Sequence, residues 1–180
     1  MYTYAQVEDA LATVHRIPPN ARGAFRGRIR HFQKLGIVTS TPGRGRRIDY
    51  SVYDVLLWGF ALELGEFGVD PTAVKKIVFS RPIEILFSVF DQSAKESVLF
   101  FFHPNLLSNS FPDTDRQSMD NPWGSPNSFN GIFAPDLPSL NHKLGKMASD
   151  FNARLGMINI GRMRQRINIA LDAVVRVKAR

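Results

Sequence analysis

With 180 residues and 44% hydrophobic content, the chain has the composition of an ordinary globular fold, one sizeable domain or two small ones. It contains no cysteine, which excludes disulfides, thiolate nucleophiles and thiolate zinc sites, and apolar runs such as Val98 to Phe102 fall far short of the roughly 18 residues a membrane span needs. An excess of basic groups, 23 against 16 acidic, gives a net charge of +7 and a pI near 10.1, which points to a polyanionic partner.

The charge is unevenly spread. Residues 1–80 carry eleven basic and seven acidic groups, residues 81–142 three and seven, and residues 143–180 nine and two, so two basic ends flank an acidic middle. No acidic residue occurs from Ala10 through Ile48, a window holding nine basic side chains of which only Lys34 is a lysine. Met1 to Tyr4 lack the basic and apolar segments of a secretory signal, so a cytoplasmic protein, or a nuclear one if eukaryotic, is expected. The histidines His15, His31, His103 and His142 show no i,i+4 pairing, and no metal or cofactor is expected.

In chain order, Thr3 is a plausible cap for a first helix that spaces Val7, Ala10, Leu11 and Val14 along one face and ends before Pro18-Pro19. Asn20 is expected to cap a second helix reaching Leu35. Its inner face is Phe25, Ile29 and Phe32, its outer face carries Arg22, Arg26 and Arg30, and Gly36 is its stop. Ile37 to Thr39, a Pro/Gly/Arg turn and the return to Tyr50 read as a basic hairpin. Ser51 and Asp54 have the spacing of a capping box for a third helix with Val55, Trp58 and Leu62 inward, and Asp70-Pro71 opens a fourth with Val74, Ile77 and Val78.

The second half is less regular. Residues 82–96 have the apolar spacing of an amphipathic helix, and Val98 to Phe102 reads as a strand. Residues 104–140 are crowded with turn-forming types and read as a long irregular segment, anchored by Phe111, Trp123, Phe129 and Phe133. Leu155 to Ile158 reads as a strand, and Asn159 as the cap of a last helix whose stripe is Ile160, Met163, Ile167, Leu171 and Val174, with Arg162, Arg164, Arg166 and Arg176 off it.

An arginine-bearing helix followed by a Gly-rich basic hairpin suits duplex DNA: the helix enters the major groove while the hairpin straddles the neighbouring backbone. Arginine forks onto guanine O6 and N7 or clamps a phosphate, which a lysine cannot do in the same way. The competing reading is a solvated basic face, although such a face ordinarily mixes both signs.

The run Ile29-Arg30-His31-Phe32-Gln33-Lys34-Leu35-Gly36-Ile37-Val38 resembles the second helix and exit of the MerR-type winged-helix regulators, whose pattern is leucine-arginine-tyrosine-tyrosine, two polar residues and isoleucine-glycine-leucine-leucine. Arg46-Arg47, Tyr50-Ser51 and Asp54-Val55 resemble that family's wing and third helix. Leu64-Gly65 and Gly68 to Pro71 resemble its elbow, so the likeness covers residues 2 to about 79. It implies that Arg30 grips phosphate, that His31 replaces an aromatic touching the backbone, that Arg47 is the wing arginine, and that Arg22, Arg26 and Arg28 face base edges. The candidate DNA-contacting set is Asn20, Arg22, Arg26, Arg28, Arg30, His31, Arg44, Arg46, Arg47 and Tyr50. The chain departs from the pattern in the inserted Ile17 to Asn20, in Gly23 and Gly27 within the recognition helix, and in lacking the family's sensor cysteines and a clear copy of its long dimer helix.

The expected fold is α+β: a winged helix-turn-helix over 1–80, with recognition helix 20–35 and wing 39–50, then a small mixed α/β domain over 81–180 that dimerises or regulates. The expected function is that of a sequence-specific double-stranded-DNA-binding transcription regulator, bacterial or phage, acting as a homodimer without chemistry of its own and with RNA polymerase as a candidate partner. The last helix and the Val98 to Phe102 strand are candidate dimer surfaces. A nucleoid-associated or recombination accessory protein is the alternative reading. An enzyme is disfavoured, since no P-loop, G-x-S-x-G, H-E-x-x-H or clustered carboxylate pair occurs, and a protein-interaction adaptor is the remaining class.

Overall fold

The computed structural model describes residues 1–38, 48–78, 99–102, 132–134, 138–139, 141–142 and 156–178. These are mostly helical. The helices are α1 (Tyr4–Val14), α2 (Arg22–Lys34), α3 (Val52–Glu66), α4 (Pro71–Val78) and α5 (Ile160–Lys178), and a 3-10 turn (Pro19–Ala21) precedes α2. Strands β1 (Leu99–Phe102), β2 (Ile132–Ala134) and β3 (Gly156–Asn159) form an antiparallel sheet of order β2-β1-β3, in which Phe100 is paired with Phe133 on one side and Ile158 on the other.

Local chemistry sets the helix starts. Thr3 and Gln6 form a capping box at α1, the hydroxyl accepting from the Gln6 amide at 3.3 Å and the Gln6 side chain accepting from the Thr3 amide at 2.9 Å. Ser51 and Asp54 do the same at α3. Asp70 caps α4 by accepting from the Thr72 amide at 2.8 Å, and Asn159 caps α5 by accepting from the Arg162 amide at 2.8 Å. The second helix departs from expectation. Asn20 lies exposed in the 3-10 turn, and Ala21 stands at the cap position with no side-chain bond to offer.

Three helix ends share one device. After α2, Gly36 takes φ +78° and the Ile37 amide donates back to the Phe32 carbonyl at 3.1 Å. After α3, Gly68 takes φ +80° and the Val69 amide reaches Leu64. After α1 the left-handed residue is Arg16 at φ 53°, where a side chain costs about 1 kcal/mol that glycine would avoid, and Ile17 donates to Ala12. In each case the chain reverses and turns an apolar residue, Ile17, Ile37 or Val69, back toward the core.

The core is built around α3, which is buried nearly all round from Val55 through Leu62 and again at Leu64. Against it lie Val7, Leu11 and Val14 of α1, Phe25, Ile29 and Phe32 of α2, and Val74, Ile77 and Val78 of α4. Trp58 is fully buried, with Tyr50 at 5.0 Å and Tyr4 edge-on at 6.4 Å between ring centres.

Helix α5 belongs to the same core. Ile160, Met163, Ile167, Ala170 and Leu171 are buried, and the helix lies against α1 and α3. The side chain of Arg166 donates to the Val14 carbonyl at the end of α1, and Ile167 packs onto Gly59 of α3. The apolar stripe that sequence offered as a dimer surface is therefore covered within the chain.

Several expectations need correction or fall elsewhere. Ile37 and Val38 are buried but form no strand, and within the described end of the return arm, residues 48–50, Tyr50 forms an isolated bridge in which it exchanges both backbone hydrogen bonds with Tyr2 at 2.8 Å. Within the segment read as irregular, Ile132–Ala134 is a strand. The rest of the hairpin (39–47), the helix read over 82–96 and most of 104–140 lie outside the described residues. No described helix is long and apolar enough to cross a membrane.

Candidate nucleic-acid interface

Helix α2 places Arg22, Arg26, Arg30 and Lys34 four residues apart, so they form one row along the helix, with His31 next to it and Arg28 at the far edge of the exposed face, toward α3. The opposite face is fixed by burial of Phe25, Ile29 and Phe32, which turns the basic row outward. Gly23 and Gly27 lie in this helix with nothing among the described residues within 4 Å of where a Cβ would stand, so no packing demand from those residues explains them.

Carboxylates occupy the N-terminal half of the row. The Arg26 guanidinium forks onto Glu8 of α1 through Nε and Nη2, both at 2.8 Å, and Glu8 is only 6% exposed. The carboxylate pushes the Arg26 pKa further up, so the guanidinium stays charged. Arg22 Nη1 meets Asp9 Oδ1 at 3.2 Å, and Arg28 Nη1 meets Glu66 Oε1 of α3 at 2.7 Å. Arg30, His31 and Lys34 are exposed and have no ion pair among the described residues.

An open cleft of about 590 Å³ adjoins Arg30, between Thr3 and Tyr4 at the start of α1, Gln33 of α2, and Ile48 and Tyr50. Tyr50 is 1% exposed, and its hydroxyl accepts from Gln33 Nε2 at 3.1 Å. Burial pushes that hydroxyl's pKa up, against the Gln33 hydrogen bond. Burial does the same to Tyr4, with the Glu8 charge adding and Arg30 and Arg26 opposing. Both phenols are neutral at physiological pH.

The candidate set therefore divides. Arg30 and His31 are where the sequence puts them, on the outer side of α2. Arg22, Arg26 and Arg28 are on the same helix but engaged by acidic partners, with Arg26 tied to a buried one. Tyr50 is a core residue rather than a surface contact, because its ring fills the space over Trp58, and Asn20 sits apart on the exposed turn. Arg44, Arg46 and Arg47 lie outside the described residues.

Sequence reasoning missed Glu8, Asp9, Glu66 and Lys34. A signal for the first two was present, since the acid-free window begins immediately after Asp9 and α1 must run beside α2. Among the described residues no three His, Asp or Glu side chains approach closely enough to hold a metal ion. Compared with protein-family models and with curated proteins, the chain matches none.

Proposed function

We propose that the protein is a sequence-specific double-stranded-DNA-binding transcription regulator built on a winged helix-turn-helix, with α2 entering the major groove. The observation that carries this reading is the row Arg22, Arg26, Arg30 and Lys34 on the outer side of a helix that has no acidic residue. Its inner side is locked by three buried apolar residues, so the row cannot rotate away from solvent. The spacing from helix pair through hairpin to α3 and α4, and the likeness of residues 2–79 to MerR-type regulators, agree with it.

Within this reading Arg30, His31 and Lys34, which are exposed and have no ion pair among the described residues, make first contact, and Arg44, Arg46 and Arg47 of the wing grip backbone phosphate. Arg26 serves chiefly to hold α2 on α1 through Glu8. A homodimer on a palindromic site fits this class of regulator, with RNA polymerase as a further partner, and its interface is not the α5 stripe, which is covered within the chain. Selection of bound duplexes from a random pool tests the proposal. Recovery of a palindrome with fixed bases supports it, and failure to enrich any sequence refutes it.

A second reading, a nucleoid-associated or recombination accessory protein, is favoured by the engagement of Arg22, Arg26 and Arg28, which leaves fewer side chains for base edges. Binding of random duplex with no enriched sequence supports that reading.

A further inference from the structure

We infer that Asp9 and Glu66 are built-in competitors for phosphate, holding Arg22 and Arg28 until a polyanion displaces them. The inference rests on the DNA-binding reading above and extends it to how tightly, and at what salt, that face binds.

The ion pairs on α2 are of two kinds. Arg26 uses two guanidinium nitrogens on a carboxylate whose side chain is 8% exposed, so displacing it would strand a buried charge. Arg22 and Arg28 each use one nitrogen, Nη1, on a carboxylate that is more than half exposed, 58% for Asp9 and 60% for Glu66. A guanidinium has five N–H donors in a fork, so most of the donors on Arg22 and Arg28 are not used by these contacts. Solvated single-contact pairs contribute little and exchange readily. A backbone phosphodiester carries the same single charge as a carboxylate and also presents two oxygens that a guanidinium can fork onto, and it belongs to a polyanion whose neighbouring phosphates add to the attraction, which makes it the natural replacement.

The three pairs therefore have separate duties. Glu8 and Arg26 fix the seat of α2 on α1 in both states. Asp9 and Glu66 flank that fixed pair, one on α1 and one at the end of α3, and neutralise their arginines in the absence of nucleic acid. Weak polyanions at ordinary salt do not displace them. A duplex that also engages Arg30 and Lys34 gains Arg22 and Arg28 as the carboxylates are released, so the extra contacts form only on a well-seated complex.

The test is the affinity of the full chain for a random-sequence 25-base-pair duplex across a salt series, for wild type, Asp9→Asn, Glu66→Gln, the double variant, and Asp172→Asn. The last makes the same charge change on an exposed position of α5. Asp9 and Glu66 are surface residues, and unchanged melting temperatures establish that the variants fold. Each single variant is expected to bind about 2- to 5-fold more tightly at low salt, as removal of an exposed ion-pair competitor allows. The double variant is expected to bind about 4- to 25-fold more tightly than wild type at low salt, the two effects adding because the pairs lie on different helices. Asp172→Asn is expected to change affinity less than 2-fold, since that exposed carboxylate has no ion pair with Arg22 or Arg28 and solvent and salt screen its charge. Wild-type binding that Asp9→Asn and Glu66→Gln leave unchanged, or that Asp172→Asn raises equally, overturns this inference and spares the DNA-binding reading. Absence of duplex binding by wild type and double variant alike overturns both.

Discussion

Whether α5 shares one core with the N-terminal helices is tested at the contact between Ile167 and Gly59. Ile167 is 0% exposed, and a Cβ built on Gly59 would lie 2.6 Å from its Cδ1 and 3.7 Å from Met163 Sδ. Truncating Ile167 to alanine removes three buried carbons and leaves a void between α3 and α5, a change that costs about 3 kcal/mol. In a chain of this size that lowers the melting temperature by roughly 6–12 °C. Gly59→Ala alone sets a helix-propensity gain of about 1 kcal/mol against overpacking that costs about 1–3 kcal/mol. In an Ile167→Val background the clashing methyl is gone and the gain survives, so the two changes couple by 1 kcal/mol or more. Thermal and urea unfolding of Ile167→Ala and of the four species of the Gly59→Ala and Ile167→Val cycle, followed by Trp58 fluorescence with Trp123 replaced by phenylalanine, measures this. Additive effects, or a Trp58 transition that ignores Ile167→Ala, would refute the packing of α5 on α3.

The remaining predictions concern protonation, backbone and capping. Burial pushes the His15 imidazole down to about 4 from 6.5, with Glu66 opposing and Arg166 and Arg28 adding, while Glu63 lies 3.8 Å from its Nδ1. The unfolded chain therefore takes up this proton first. The contribution is complete above pH 6.5, declines as the pH falls, and is lost by about pH 4, for a total of about 3 kcal/mol. Glu63, whose carboxyl is pushed up by burial against Arg166, acts in the opposite sense at the acid end. Urea midpoints between pH 4 and 7 should fall steeply for wild type and flatten for His15→Gln, and parallel profiles would exclude this role. Gly27→Ala should raise stability by up to about 1 kcal/mol in thermal melts, because the added methyl meets nothing, and a loss would show that α2 needs the glycine for its own fold. Ser51→Ala should cost about 1 kcal/mol by opening the cap of α3, and an unchanged urea midpoint would count against that cap.

The features legible in the sequence are those whose partners lie within a few residues. Thr3, Ser51, Asp70 and Asn159 each cap the helix they precede, and Gly36 ends α2, because a side-chain oxygen or a left-handed glycine acts on backbone groups one turn away. The inward faces of α1, α2, α4 and α5 follow from apolar spacing for the same reason. For α3, spacing picked out Val55, Trp58 and Leu62 but did not reveal a helix enclosed on every side, which comes from the helices gathered around it.

Tertiary structure decided what those faces and charges meet. Periodicity shows that the stripe of α5 must be buried but carries no information on its partner, and the partner is α1 and α3 in place of a second subunit. The composition of residues 10–48 gives the sign of the α2 surface, whereas its availability depends on carboxylates 13, 18 and 38 residues away from Arg22, Arg26 and Arg28. Tyr50, at the foot of a basic hairpin in the sequence, is drawn into the core because its ring has Trp58 to pack on and its hydroxyl has Gln33 to bond. Local hydrogen bonds are set by neighbours in the chain and can be read along it. Burial and ion pairing at long range depend on which surfaces fold together, and only the assembled core fixes them.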